Sequence, residues 1–243
     1  MINNSYEIAI SRIRRQNPNY SLDDYCTLYT DAFWKLQYEV FDDNFSAESL
    51  YEEKGSFIDE IVACLLGGFG FKAEFGWAAF ERLKERNLIN RDIDYSSLVD
   101  ALSEPFKVGK SWTHYRFPRQ KSKYVYDFLH RNDLDRAPLG NDMAFRSWLL
   151  TINGIGPKTA SWITRNYLQS DNVAIIDIHL YRAGVLTGFV NPELDIQKDY
   201  FEIEQCFLEY CHSLKVRPSV MDMVMWLNMK KTNKIAISLI NNF

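Results

Sequence analysis

The chain has 243 residues, of which 47% are apolar and 25% are charged, which excludes a disordered or collagen-like protein. The longest apolar stretch, Ile61 to Phe71, is about half as long as a bilayer span requires. The first residues, MINNSYEIAI, lack the basic start and apolar run of a secretory signal. We therefore expect a cytoplasmic protein without a membrane partner.

The net charge of −4 is unevenly distributed along the chain. Residues 1–106 carry −9, residues 107–166 carry +7 and residues 167–243 carry −2. The basic part begins with KVGKSWTHYRFPRQKSK, residues 107–123, in which cations alternate with aromatic residues. This pattern is typical of a surface that binds nucleic-acid phosphates, with Arg116, Arg119 and Lys121 as candidate contacts. A solvated loop followed by a helix face explains the segment equally well.

The apolar spacing is mostly helical, as in the four-residue repeat of Leu28, Ala32, Leu36 and Val40. The best extended run, Val173 to Ile176, is short, so we predict an all-α fold. The four cysteines form no CxxC pair, and the four histidines have no ligand spacing, so no metal and no cofactor is predicted. Further helices are expected over Phe57–Leu66, Trp77–Leu83, Tyr124–Leu129, Met143–Ile152 and Ile203–Leu214.

The most informative segment is a pair of predicted helices joined by a glycine turn. Asn141 or Asp142 can cap a helix that runs to about Ile152, and the sequence NGIG then interrupts it. Pro157 stands where a second helix would begin, which is its favoured first position. Backbone N–H groups at Gly154, Ile155 and Gly156 could therefore point outward and bind a phosphate beside the second helix.

This pattern resembles the helix-hairpin-helix DNA glycosylase superfamily, whose motif L-x-G-[IV]-G-x-K-x-A matches residues 152–160 with Ile152 in place of leucine. Asp177 ends the extended run 19 positions after Lys158, as in the lysine-bearing members. The stretch GGFGFKAEFGWAAFERL is similar to the compact archaeal-type 8-oxoguanine glycosylases. The resemblance implies two helical lobes with an active-site cleft between them. Residues 1–60 and 170–243 would form one lobe, and residues 61–169, with the hairpin, the other.

The resemblance also implies the chemistry. Lys158 would attack the sugar C1′ as the neutral amine, and the Asp177 carboxylate would stabilise the positive charge that develops there. The implied function is excision of a flipped modified base, 8-oxoguanine, through a lysine Schiff base with associated AP-lyase activity. The partner would be double-stranded DNA containing that base. The enzyme would act as a monomer, associated with the nucleoid if the cell is bacterial or archaeal. The bland alternatives are a surface lysine that contacts phosphate and an aspartate that only caps a helix.

Four residues are candidates for the base pocket. Asp222 and Trp226 lie four positions apart on one helix face, similar to an Asp–Trp pair in the archaeal-type enzymes. Gln37 and Trp77 are further candidates, because aromatic and polar side chains hold a flipped base. His179 resembles the family histidine that touches DNA phosphate. A tryptophan buried in a methionine-rich helix and a histidine satisfied within a first helical turn are the structural alternatives.

Two rival functions remain open at this point. The first keeps the glycosylase chemistry and changes the base, for example to a bulky modified cytosine of phage DNA in a defence role. The second is a non-enzymatic helix-hairpin-helix module that only binds DNA. Such a module would give Lys158 and Asp177 no chemical role and would need no closed pocket.

Overall fold

A computed structural model describes residues 21–44, 55–68 and 72–241, together with 8, 9, 11–13, 15 and 19. Within these residues the regular secondary structure is helical apart from two three-residue strands, so the all-α prediction is confirmed. It divides into two compact units. The terminal unit contains Met1–Glu52 and Gln169–Phe243, and the central unit contains Glu53–Leu168.

The described elements of the terminal unit are five helices. A capping box at Ser21 starts the first of them, because the Ser21 hydroxyl accepts from the Asp24 N–H while the Asp24 carboxylate accepts from the Ser21 N–H. The helix Pro218–Ile240 packs along the helix Ile178–Thr187 and also contacts the helix Asp31–Asn44. The helices are α1 (Leu22–Cys26), α2 (Asp31–Asn44), α9 (Ile178–Thr187), α10 (Tyr200–Leu214) and α11 (Pro218–Ile240). Their core contains Trp34, Phe207, Met221 and Val224.

The central unit has its own hydrophobic core, built around Leu65, Phe80, Phe128 and Phe145. Two short antiparallel strands precede the helix that crosses this core. In chain order the described elements are α3 (Phe57–Leu66), α4 (Ala73–Glu85), α5 (Tyr95–Ser103), β1 (Phe106–Val108), β2 (Ser111–Thr113), α6 (Pro118–Leu129), a 3-10 turn (Leu134–Arg136), α7 (Asp142–Leu149) and α8 (Pro157–Leu168).

The structure corrects the predicted domain boundary at residues 60 and 61, which falls inside α3. Ser56 caps this helix, since its hydroxyl accepts from the Asp59 N–H at 3.2 Å. Ile61 and Leu65, on the same helix, are fully buried in the central core. The unit boundary therefore precedes α3, between residues 52 and 53, and the second boundary lies between residues 168 and 169 rather than 169 and 170.

The two strands are a second difference from the sequence prediction. They occupy Phe106–Thr113, where a loop leading into a helix face was expected. Conversely, the Val173–Ile176 run is buried but belongs to no strand. Among the described residues, no helix is both long and apolar enough to cross a bilayer.

Candidate active site

The predicted helical hairpin is present in the central unit. The Asn141 side chain caps α7 by accepting from the Ala144 N–H at 2.9 Å, and α8 begins at Pro157 as expected. α7 ends at Leu149, three residues before the predicted end. The turn between the helices is held by the buried side chains of Ile152 and Ile155, and the Ile155 N–H donates to the Ile152 carbonyl at 3.0 Å.

The two turn positions, 154 and 156, are occupied by glycine for different structural reasons. Gly154 has a φ of +94°, and a Cβ there would come within 2.7 Å of the Tyr124 ring and 3.1 Å of Leu65. The fold itself therefore requires a glycine at this position. A Cβ on Gly156 would meet nothing within 4 Å. Since the protein leaves this space open, a glycine at 156 suits the close approach of another molecule.

Lys158 lies in the first turn of α8 and is exposed to solvent. In the part of the chain that the structure describes, no carboxylate pairs with its side-chain nitrogen. A cation at this place also faces the positive end of the helix dipole, which is unfavourable for a lysine with a purely structural task. The position therefore suits a residue that acts on a ligand.

A polar cluster anchors the first helix of the hairpin. Arg131 forms a bidentate pair with Asp133, at 2.9 and 2.7 Å, and also donates to the Thr151 hydroxyl at 2.9 Å. The Trp148 indole N–H donates to the same aspartate at 2.8 Å. The Arg131 guanidinium, with help from Trp148, holds the pKa of Asp133 at about 2. These contacts fix the C-terminal end of α7 and hence the start of the turn.

The basic segment lies next to this turn, because Tyr124 of α6 packs beneath Gly154. Arg116 and Arg119 are exposed, as a phosphate-binding role requires. Lys121 is different, since its ammonium donates to the carbonyls of Leu65 (2.7 Å) and Gly67 (2.5 Å), at the end of α3. Burial lowers the pKa of Lys121. The phosphate role predicted for Lys121 is therefore corrected: its ammonium is used to satisfy the last carbonyls of α3.

In the terminal unit, Asp177 caps α9. One oxygen, Oδ1, accepts from the backbone N–H groups of His179 (2.8 Å) and Leu180 (2.9 Å). Gly188 ends the helix in the left-handed conformation, as the sequence predicted. The cap thus occupies one carboxylate oxygen and leaves the other, Oδ2, without a hydrogen bond in the described part of the chain.

Three side chains hold the extended segment that leads into Asp177. The backbone N–H groups of residues 174, 175 and 176 donate in turn to Glu204 (2.9 Å), Asp222 (3.3 Å) and the Tyr200 hydroxyl (3.2 Å). The Tyr200 hydroxyl also donates to the carbonyl of Ala174 at 2.9 Å. These groups are buried, so they replace the hydrogen bonds that a neighbouring strand would provide.

Three of the four predicted pocket residues lie in the terminal unit. Asp222 and Trp226 are on α11, and Gln37 is on α2, which contacts α11. Asp222 is 4% exposed and Trp226 is 37% exposed, with the Lys230 ammonium 4.6 Å from the indole centroid. A base that stacks on that face must displace Lys230. Trp77 belongs to the central unit, where its ring lies 5.4 Å from Phe80.

His179 is in the first turn of α9 with one ring nitrogen, Nδ1, buried. This atom has no hydrogen-bond partner among the described residues. A buried polar atom without a partner is unfavourable, so the ring is not the internally satisfied histidine of the structural alternative. Its phosphate contact stays a prediction.

The comparisons with known proteins decide the family. The family model Ogg-HhH, 8-oxoguanine DNA glycosylase, matches residues 39–216, which include the hairpin and Asp177. The chain belongs to this family. The Ogg-HhH assignment confirms the superfamily predicted from the hairpin motif. It also agrees with the helical fold.

Individual relatives within the Ogg-HhH family are distant. An 8-oxoguanine DNA glycosylase/AP lyase of Fusobacterium nucleatum is 28% identical over 166 residues, covering 64% of this chain and 71% of that protein. The protein of that name from Saccharolobus islandicus is 33% identical over 132 residues, covering 50% of this chain and 61% of the relative.

Solved structures show the same fold. The Methanocaldococcus jannaschii 8-oxoguanine glycosylase/lyase, in complex with a 15mer DNA containing 8-oxoguanine, has a TM-score of 0.55 at 23% identity. That similarity covers 78% of this chain and 84% of the other. The 8-oxoguanine DNA glycosylase of Thermotoga maritima has a TM-score of 0.53 at 19% identity, covering 95% and 98% of the two chains.

Several residues around the site were not singled out from the sequence. Tyr124 forms the floor beneath Gly154, and Tyr200 and Glu204 hold the segment before Asp177. Glu204 carried a usable signal, because it is an acid beside Ile203 and three residues before Phe207 on the apolar face of α10. For Tyr124, nothing in the local sequence indicates a contact with a turn thirty residues away.

Proposed function

We propose that this chain is a DNA glycosylase and AP lyase that removes 8-oxoguanine from double-stranded DNA. One observation carries the proposal: an exposed lysine, Lys158, stands in the first turn of α8 directly after the Gly154–Gly156 turn. It does so in a chain that belongs to the 8-oxoguanine glycosylase family. A module that only bound DNA would gain little from a lysine there that pairs with no described carboxylate.

The first chemical step breaks the N-glycosidic bond. The neutral side-chain nitrogen of Lys158 forms a bond to C1′ of the damaged nucleotide, and the bonding electron pair leaves with the base, which then takes up a proton. Positive charge develops on the sugar as this bond breaks. The free oxygen of Asp177 supplies the carboxylate that stabilises this charge.

The second step nicks the strand. The sugar ring opens, and the lysine nitrogen and C1′ become a protonated Schiff base. Loss of a proton from C2′ then expels the 3′ phosphate by β-elimination, and water later releases Lys158. A lysine nucleophile thus links base removal to lyase activity through one covalent intermediate.

The remaining residues hold the DNA and the base. The first free N–H groups of α8, next to the open space at Gly156, bind a phosphate of the damaged strand. Arg116, Arg119 and His179 contribute further phosphate contacts. Asp222, Trp226, Gln37 and Trp77 are the proposed pocket residues, with the Trp226 indole stacking on the flipped base.

A panel of duplexes, each with one modified base, tests the substrate. The panel contains 8-oxoguanine, uracil, an alkylated adenine and a bulky modified cytosine, and single-turnover excision is followed on a gel. We expect 8-oxoguanine to be removed at least about 100-fold faster than the others. Faster removal of the modified cytosine would overturn the proposed substrate while keeping the chemistry. Binding without excision of any base would favour the DNA-binding module.

We propose that the enzyme acts as a monomer on double-stranded DNA in the cytoplasm, associated with the nucleoid if the cell is bacterial or archaeal. Light scattering of the free protein and of its complex with a lesion duplex tests the stoichiometry. One protein per duplex is the expected result, and a dimer that alone binds DNA would contradict it.

A further inference from the structure

The two short strands form a β-hairpin, residues 106–113, that presents an aromatic ring and two cations. Lys107 and Trp112 are directly paired across the strands, so their side chains lie on the same face. Gly109 turns the chain with a φ of +60°, and Lys110 follows it in the turn. Trp112 is 72% exposed, and Lys107 and Lys110 are exposed as well.

The base of the β-hairpin is firmly held. Phe106 and Tyr115 are buried with their rings 6.2 Å apart, and the Tyr115 hydroxyl donates to the Leu66 carbonyl. The Arg82 guanidinium lies 5.0 Å from the Phe106 ring. It donates to the carbonyl of residue 101 near the end of α5 and to those of residues 104 and 105 in the loop that follows. The exposed face of Trp112 is therefore displayed by a rigid support.

The charge around the β-hairpin is not neutralised. Within the described ranges, none of the four cations Lys107, Lys110, Arg116 and Arg119 has a carboxylate partner. Two neighbouring carboxylates already form ion pairs with other cations, since Glu104 pairs with Arg86 and Asp127 pairs with Lys123. An exposed aromatic ring among unpaired cations is suited to a polyanion with flat or apolar parts, which is the chemistry of a nucleic acid.

The β-hairpin is also close to the helical hairpin along the chain. Trp112 and Pro118 are six positions apart, which is at most about 20 Å, and α6 adds about 9 Å before Tyr124, which packs beneath Gly154. The two features are thus within about 30 Å, the length of about nine base pairs. A bound duplex that extends about nine base pairs beyond the helical hairpin can therefore reach the β-hairpin.

We propose that the β-hairpin is a second DNA contact, which binds the sugar–phosphate backbone of the duplex that flanks the lesion. The ammonium groups of Lys107 and Lys110 bind phosphates, and the Trp112 indole packs against deoxyribose with its N–H free to donate to a phosphate oxygen. This inference rests on the proposed function for the nature of the duplex. It adds a contact outside the residues that act on the damaged nucleotide.

The test compares long and short duplexes. Trp112→Ala and the double variant Lys107→Gln/Lys110→Gln are measured by fluorescence anisotropy on 8-oxoguanine duplexes with 12 or 4 base pairs on each side. We expect both to lose about tenfold in affinity for the long duplex and to match the wild type on the short one. The double variant should also lower the salt slope on the long duplex by about two. Single-turnover excision at saturating enzyme should be unchanged.

Matched controls come from exposed residues of the terminal unit. Phe201→Ala removes an exposed aromatic ring and Lys198→Gln an exposed ammonium, and neither should alter affinity for either duplex. Wild-type affinity of the β-hairpin variants for the long duplex would overturn the inference. Equal losses on both duplexes, or a larger loss on single-stranded DNA, would also overturn it.

Binding to duplexes of both lengths without a lesion, read together with excision from the lesion duplexes, separates this inference from the proposed function. If the wild type excises no base but the β-hairpin variants still weaken binding in a length-dependent way, the proposed function fails and the second contact stands. If excision is normal and the length dependence is absent, the second contact fails alone.

Discussion

The buried carboxylate of Asp222 accepts a hydrogen bond from the backbone N–H of Ile175, 3.3 Å away and two residues before Asp177. Glu204 and Tyr200 bind the N–H groups on either side of it. The run before Asp177 is therefore held by side chains of two helices, α10 and α11, in place of a strand. The position of the Asp177 carboxylate, including the Oδ2 atom that the helix cap leaves free, therefore depends on these contacts.

Glu204 should act on catalysis only through the position of this segment. Glu204→Leu leaves the Ala174 N–H buried without an acceptor, so we expect a loss of about 1–3 kcal/mol in unfolding free energy. Glu204→Gln retains an acceptor oxygen and should lose less than half of that. Urea unfolding and single-turnover excision at saturating DNA measure both effects. A Leu variant as stable as the wild type would show that the hydrogen bond does not hold the segment.

Substitutions of Asp177 should separate its role as a helix cap from its role in the chemistry. Asparagine is as good an N-cap as aspartate, so Asp177→Asn should change the unfolding free energy by less than about 0.5 kcal/mol. It removes the charge that stabilises the sugar cation, so excision should slow by about 100-fold or more.

Asp177→Ala provides the matched comparison, since it loses the cap as well. We expect it to be about 1 kcal/mol less stable than the Asn variant and equally slow. Denaturant unfolding and gel-based excision on the same preparations measure this. Near-normal excision by Asp177→Asn would reduce Asp177 to a helix cap.

The two turn glycines should behave in opposite ways. Gly154→Ala places a methyl group against Tyr124 at positive φ, so it should cost about 2 kcal/mol or more in stability. Gly156→Ala meets no protein atom and should leave stability within about 0.5 kcal/mol of the wild type. Its affinity for DNA should nevertheless fall about tenfold, because the methyl group keeps the phosphate away from the α8 amides.

Thermal unfolding and anisotropy with a lesion duplex distinguish these two effects. Unchanged binding by Gly156→Ala would mean that the DNA backbone does not approach that side of the turn.

The Asp133 cluster makes the stability of the helical hairpin depend on pH. The pKa of Asp133 is held at about 2 in the folded protein, below the value near 3.8 expected for the unfolded chain. The stabilisation is therefore present above about pH 4 and is lost as the pH falls towards 2. Asp133→Asn should be about 1 kcal/mol less stable at pH 7, and its difference from the wild type should shrink over this window in urea unfolding. A pH-independent difference would exclude this linkage.

Local signals explain what could be predicted from the sequence. Helical periodicity identified most helices, Pro157 marked the start of α8, and Asp177 and Gly188 marked the two ends of α9. Each of these features depends on residues close in sequence. The helix cap at Asp177 and the glycine turn before Lys158 were therefore readable without a structure.

Contacts between distant residues explain what could not be predicted. Lys121 has the charge of a phosphate ligand, and only its approach to carbonyls more than fifty residues away shows its structural task. The β-hairpin strands have three residues each, too short for a clear alternating pattern. The acceptors for residues 174–176 likewise come from two later helices.

Borohydride trapping addresses Lys158 as the nucleophile most directly. The protein is incubated with a labelled duplex containing 8-oxoguanine, reduced with sodium borohydride and run on a denaturing gel. The wild type and Lys198→Gln should form a covalent adduct, whereas Lys158→Gln should bind the duplex and form none. An adduct of normal yield with Lys158→Gln would contradict Lys158 as the nucleophile. The absence of any wild-type adduct, with excision intact, would contradict the lysine mechanism altogether.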